Sequence, residues 1–131
     1  LAAVETVYPT MPVTMEEAVI SKMAERGQIG EAWVDGPLSL DVAMREHAAR
    51  QKGVGGEVAG RADILIVSKI EVGNGIYKAL ILFAGARAAG IVVGGHCPMV
   101  ITSRSDTVEN KIDAIALGCL LHCEERRQGE E

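Results

Sequence analysis

The sequence predicts an α/β layered domain with a mostly parallel sheet. Two observations carry this. Short runs of β-branched and apolar residues alternate along the chain with longer segments whose apolar residues recur at helical spacing. The joints between them fall on Gly, Pro and Asn, the residues that turn a chain. At 131 residues, 48% of them hydrophobic, the chain is long enough for one domain with a core.

Leu1 to Val7 reads as the end of a strand, stopped by Pro9 and Pro12. Thr14-Met15-Glu16-Glu17 has capping-box spacing and predicts a helix to about Arg26, with Met15, Ala18, Val19 and Met23 inside and Gly27 ending it. Ala32 to Asp35 is a short strand closed by Gly36-Pro37. A second helix is expected over Ser39 to Gln51, with Leu40, Ala43, Met44, His47 and Ala48 on one stripe and His47 as a core histidine. Ala62 to Val67 reads as a buried strand. A third helix is expected from Gly73-Asn74 to about Ala88. Ile76, Ala79, Leu80, Phe83 and Ala84 form its stripe, and Ile81 and Leu82 make it apolar nearly all round, so it should be buried on more than one side.

Ile91 to Val93 and Met99 to Ile101 are two more short strands. The link between them is too short for a helical crossover, so they are antiparallel or not direct neighbours. The last helix is expected from about Asp106 to Cys123, with Val108, Ile112, Ile115, Ala116, Cys119 and Cys123 on its packed face. Glu124 to Glu131 reads as a solvated, frayed tail.

Charge narrows the function classes. The net charge of -5 argues against a general nucleic-acid partner. The longest apolar stretch, Ala79 to Ala86, is far short of a bilayer span and Arg87 follows it, so no membrane partner is expected. Three Cys without a disulfide framework point to a reducing, cytoplasmic setting. The chain opens on Leu1 rather than Met and enters apolar residues at once, which reads as a fragment or processed chain.

In parallel sheets ligands sit where strands lead into helices. Three such junctions are Asp35-Gly36-Pro37, Lys69 to Asn74, and Thr102 to Asp106. The third is the richest. In Thr102-Ser103-Arg104-Ser105-Asp106-Thr107, hydroxyls and a guanidinium crowd a helix start, where free N–H groups and the helix dipole attract an anion. The plainer alternative is that Ser105 or Asp106 caps the helix, with Glu109 completing a capping box and Arg104 on the surface. Glu71 to Lys78 offers a glycine-flanked Asn and a nearby lysine, but lacks P-loop or dinucleotide spacing. An unoccupied helix entry is the alternative there. Cys119, His122 and Cys123 fall within one helical turn, yet no Cys-x-x-Cys pair exists, and no metal site is expected.

Taken in order, the stretches Val34-Asp35-Gly36-Pro37-Leu38, Glu57-Val58-Ala59-Gly60, Glu71-Val72-Gly73-Asn74, Tyr77-Lys78-Ala79-Leu80, Phe83-Ala84-Gly85-Ala86 and Thr102-Ser103-Arg104 resemble the C-terminal half of the phosphate acetyl/butyryltransferase family, its butyryl-type members above all. The resemblance implies a three-layer α/β/α fold like that of isocitrate and isopropylmalate dehydrogenases, with this chain as the C-terminal part of a two-domain enzyme. It implies transfer of a butyryl or similar short acyl group between CoA and inorganic phosphate, with CoA as substrate and no tightly bound cofactor. It further implies a homodimer or higher homo-oligomer. This polypeptide alone would be inactive, or nearly so, yet fold as a domain.

By the same resemblance Ser103 and Arg104 are active-site residues, and Gly73, Asn74, Tyr77 and Lys78 line the substrate cleft or support it. Ser105 and Asn110 join the CoA-binding group. Acetyl-specific relatives carry an Asp proposed as base for the CoA thiol where this chain has Asn110. That leaves the base open, with Asp106 better placed than Glu109. His96-Cys97 also departs from the Lys-Ala of butyryl-type relatives. A non-catalytic acyl-CoA-responsive regulatory or oligomerisation domain is the alternative.

Overall fold

The computed structural model describes residues 1–128. Among them the helices are α1 (Pro12–Glu25), α2 (Leu40–Met44), α3 (Glu46–Gln51), α4 (Ile70–Ala84) and α5 (Val108–Gln128). The chain divides into two compact units, Leu1–Asn74 and Gly75–Glu131.

In the first unit, α1 starts on Pro12, whose missing N–H costs nothing at a helix start. Thr14 is therefore inside the helix and is not the cap that its spacing suggested. Its fully buried hydroxyl accepts the Tyr8 N–H at 2.8 Å and faces the carbonyls of Met11 and Tyr8 at 2.8 and 3.1 Å. That staple fixes the incoming turn, and of the expected inner face only Ala18 stays inward. Thr14, Glu17, Ala18, Ser21 and Ala24 turn inward, while Met15, Val19 and Met23 are exposed.

The single helix expected over Ser39 to Gln51 is broken at Arg45, which is extended at φ -134 and ψ 112, into α2 and α3. The cause is tertiary. The carbonyls of Val42 and Ala43 accept N–H groups from Gly60 at 2.7 Å and Ala62 at 3.0 Å, in place of donors from their own next turn. The break lets Val42, Ala43 and Ala49 share one core with Leu38 and Ala59. Leu40, Met44 and His47 face solvent, so His47 is not a core histidine.

The expected parallel sheet is absent among the described residues. Ala62 to Val67 is extended and alternates, with Leu65 and Val67 half-buried and Ile64 and Ile66 at 78% and 70% exposure. A strand becomes a sheet only when a second backbone takes up its N–H and C=O groups. Here that pairing is limited to one antiparallel bridge, Val92 to Met99, with N–H···O distances of 2.8 and 3.3 Å. The bridge selects the antiparallel option for the two short runs around the 94–98 link.

α4 begins at Ile70, so Gly73-Asn74-Gly75 is helical and not a strand-to-helix turn. A Cβ on Gly73 would lie 3.0 Å from Val67 Cγ2, so the glycine serves close packing. No α4 residue is buried, and Phe83 is 88% exposed, against the expectation of a helix enclosed on several sides.

In the second unit, Thr107 caps α5. Its Oγ1 accepts the Asn110 N–H at 3.2 Å, a role that spacing alone suggested for Ser105 or Asp106. The packed face of α5 is Asn110, Ala114 and Gly118, at i, i+4 and i+8, and not the expected Val108-Ile112-Ile115-Cys119 stripe, which is exposed along with Ala116 and Cys123. Small residues bring the helix down on Ile91, Pro98 and Val100. A Cβ at Gly118 would sit 3.3 Å from Val100 Cγ2. The tail expected to fray from Glu124 is helical to Gln128, and its last residues, 129–131, lie outside the described residues.

Candidate active site

The loop from Ser103 to Thr107 precedes α5 and is tied from within. Ser103 N–H donates to Asp106 Oδ2 at 2.6 Å, and Asp106 N–H returns a bond to the Ser103 carbonyl at 3.2 Å. This reciprocal pair closes a four-residue turn, Ser103 to Asp106, just ahead of the Thr107 cap. The other oxygen, Asp106 Oδ1, accepts the Tyr77 hydroxyl at 3.1 Å. Burial, and then the Asp106 carboxylate, raise the Tyr77 pKa above its ordinary value. The phenol therefore stays protonated and donating at neutral pH. Ser103 and Ser105 hydroxyls lie 3.0 Å apart.

Arg104 is exposed, and among the described residues its guanidinium makes no ion pair or hydrogen bond. By contrast Arg87 is held in a fork on Asp113, with contacts of 2.7 to 3.0 Å. An unpaired fork beside a helix start is free to meet phosphate or carboxylate oxygens. The N–H groups of Val108 and Glu109, in the first turn of α5, add positive partial charge, and the Glu109 carboxylate partly opposes it.

Asn110 is buried. Its Oδ1 accepts the Ala88 N–H at 3.2 Å, which fixes the stretch after α4 against α5. An amide in this setting holds backbone and takes no proton. Lys78 places its ammonium 5.0 Å from the centre of the Tyr77 ring. Of the residues that stand out in the sequence, Tyr77, Ser103, Ser105 and Asp106 thus form one hydrogen-bonded group with Lys78 beside it and Arg104 projecting. Gly73 and Asn74 belong to the first unit.

Sequence reasoning missed a second polar cluster, in the first unit. Lys52 Nζ contacts Glu5 Oε1, Ser39 Oγ and Asp41 Oδ2, each at 3.1 Å. The Ser39 hydroxyl also meets both the Glu5 and Asp41 carboxylates, and its single proton serves one at a time. Hydrogen bonding from Ser39 and then from Lys52 lowers both carboxylate pKa values, and the two carboxylates raise that of Lys52. Residues 5, 39, 41 and 52 are too far apart in sequence for any local pattern to link them. A cavity of about 480 Å³ also lies in the first unit and is walled by Trp33, Val34, Ile64, Leu65 and Ile66. Its lining is mostly apolar and includes the Glu17 carboxylate, 2.9 Å from the Leu1 amino group. Size alone does not make it the reaction site.

Cys119, His122 and Cys123 are exposed on α5, and no group of three metal-ligating side chains assembles among the described residues. No helix among them is long and apolar enough to cross a membrane.

Comparison with known proteins covers most of the chain. The family model described as phosphate acetyl/butaryl transferase matches residues 1–119. The phosphate butyryltransferase of Clostridium acetobutylicum is 50% identical over 121 residues, which cover 92% of this chain and 40% of that protein. The phosphate acetyltransferase of Thermotoga maritima is 49% identical over 120 residues, covering 92% and 41%. The crystal structure of a branched-chain phosphotransacylase from Enterococcus faecalis V583 superposes with a TM-score of 0.79 at 41% identity, covering 90% of this chain and 42% of that one. The chain spans about 40% of the length of the curated relatives it matches.

Proposed function

The chain belongs to the phosphate acetyl/butyryl transferase family, and from that premise we propose that the full-length protein moves a short acyl group, butyryl or similar, between CoA and inorganic phosphate. A phosphate oxygen attacks the thioester carbonyl, the carbon–sulfur bond breaks, and the products are acyl phosphate and CoA, whose thiolate takes up a proton. Two polyanions must meet, so the protein's task is positioning and charge support. Arg104 steadies the phosphate or the negative carbonyl oxygen of the tetrahedral transition state, and Ser103 donates one more hydrogen bond. CoA is a substrate, and the chemistry asks for no tightly bound cofactor.

The observation that supports this reading is the Ser103–Arg104 pair. It sits on a loop fixed at both ends of its turn by Asp106, with the guanidinium unpaired among the described residues. The test is phosphate-dependent CoA release from butyryl-CoA by the full-length protein, with Arg104→Ala as the variant. Loss of one transition-state charge donor should lower kcat by about 100- to 1,000-fold. Full activity in the variant would remove the central site. Residues 1–131 by themselves should turn over little or nothing. The proposal extends to a homo-oligomeric cytoplasmic enzyme.

One observation favours a second reading. Asn110 accepts the Ala88 N–H on its side chain, and by the family resemblance it takes the place of an acidic base proposed in acetyl-type relatives. A non-catalytic acyl-CoA-responsive regulatory or oligomerisation domain fits that. Calorimetric binding of CoA without turnover in the same preparation would select it.

A further inference from the structure

We infer that Tyr77 and Asp106 are positioning residues, a clamp that sets the backbone of Ser103 and Arg104, and that Asp106 takes no proton from CoA. The inference rests on the proposed acyl transfer and deepens it by assigning the loop's one acidic side chain.

Its ground is where the two carboxylate oxygens point. Oδ2 receives the Ser103 N–H at 2.6 Å, a short charge-assisted bond inside its own turn. Oδ1 receives the Tyr77 hydroxyl at 3.1 Å, from a helix 29 residues earlier in the chain. Each oxygen therefore has a protein donor. A base for the thiol needs an oxygen within hydrogen-bond reach of substrate, whereas this carboxylate is turned to α4 on one side and to the backbone of Ser103 on the other. The Tyr77 contact also ties the loop to α4 rather than to its own turn alone. Removing the Tyr77 hydroxyl leaves the inner bond intact but frees the loop to pivot. Removing the carboxylate frees both. Arg104, next to Ser103, then loses its fixed origin, and misplacement near 1 Å costs such reactions about 100-fold.

The experiment compares Asp106→Asn, Asp106→Ala and Tyr77→Phe in the full-length protein. Asparagine can accept the Ser103 N–H on its carbonyl and donate its amide to the Tyr77 oxygen, so it restores both contacts without being a base. The clamp predicts that Asp106→Ala lowers kcat about 100-fold, and that Asp106→Asn recovers at least about tenfold of that loss. Tyr77→Phe should fall between wild type and Asp106→Ala. The acid limb of the kcat–pH profile should stay in place in Asp106→Asn. An Asp106→Asn enzyme as inactive as Asp106→Ala, or one whose acid limb disappears, would make Asp106 the base and overturn the inference. Wild-type rates in Asp106→Ala would overturn it too.

Amide hydrogen exchange at Ser103 gives a readout independent of turnover. It should be protected in wild type and Asp106→Asn and faster by about tenfold or more in Asp106→Ala, as expected for loss of a bonded N–H. Unchanged exchange in Asp106→Ala would overturn the clamp. If wild type itself releases no CoA, the acyl-transfer reading fails, and the exchange result still decides whether the clamp exists.

Discussion

Replacing Gly60 by alanine should weaken the first unit far more than its single methyl suggests. Gly60 has φ +86, a region where an L-residue with a side chain costs about 1–2 kcal/mol. The new Cβ would lie 2.5 Å from the Glu46 Cα and 2.7 Å from the Glu46 N, both backbone atoms at the start of α3. Carbon atoms pack at about 3.5–4.0 Å, so the segment must retreat by about 1 Å. Relief of such overlap costs about 1–3 kcal/mol. The retreat also stretches the 2.7 Å bond from Gly60 N–H to the Val42 carbonyl, one of two that hold the break between α2 and α3. The sum is about 2–5 kcal/mol, a large share of the 5–15 kcal/mol or so that holds a domain. In urea, with a slope of about 2 kcal/mol per molar, the midpoint should fall by about 1–2.5 M. Gly55→Ala is the matched control. Gly55 has no positive φ, and a Cβ there would meet nothing within 4 Å. That change should be neutral, or stabilising by up to about 1 kcal/mol through the unfolded chain. A Gly60→Ala midpoint indistinguishable from that of Gly55→Ala would refute the packing argument.

Other outcomes follow from the same geometry. Val42→Ala, at a fully buried side chain in the same core, should cost about 2–3 kcal/mol in urea unfolding. The Glu5–Ser39–Asp41–Lys52 cluster predicts a pH window. The lowered pKa values of Glu5 and Asp41 contribute stability that is complete above the ordinary carboxylate range near pH 4 and lost as pH falls through their folded values. The raised pKa of Lys52 contributes stability that is complete below about pH 10.5 and lost as pH rises further. Lys52→Met should flatten the acid side of a stability–pH curve. An unaltered acid limb in that variant would count against the cluster.

The motifs were legible as an ordered set, and the comparison with relatives bears out the family they pointed to. The antiparallel bridge was one of the two options read from the short 94–98 link. The faces of the helices were not legible. On α1 and α5 the apolar stripe is exposed while Thr14, Asn110, Ala114 and Gly118 pack inward. Periodicity finds a stripe; it does not say which stripe a given neighbour covers. In a chain spanning about 40% of its relatives' length, a large apolar side chain can lack its neighbour here. Ser103 and Arg104, the centre of the candidate site, are neighbours in one short loop, so their adjacency is already in the sequence. The clamp on that loop needed Tyr77, 29 residues from Asp106.

Local order along the chain determined the rough placement of the helices and which loop carries hydroxyls beside a guanidinium. Only the tertiary structure decided that the 39–51 helix breaks at Arg45, that Asp106 is held from both sides, and that pairing of the extended runs is limited, among the described residues, to the Val92–Met99 bridge. The reason is common to all three. A backbone carbonyl, a carboxylate oxygen and a strand edge are each satisfied by whichever donor comes alongside, and that donor is chosen by folding, not by sequence neighbourhood.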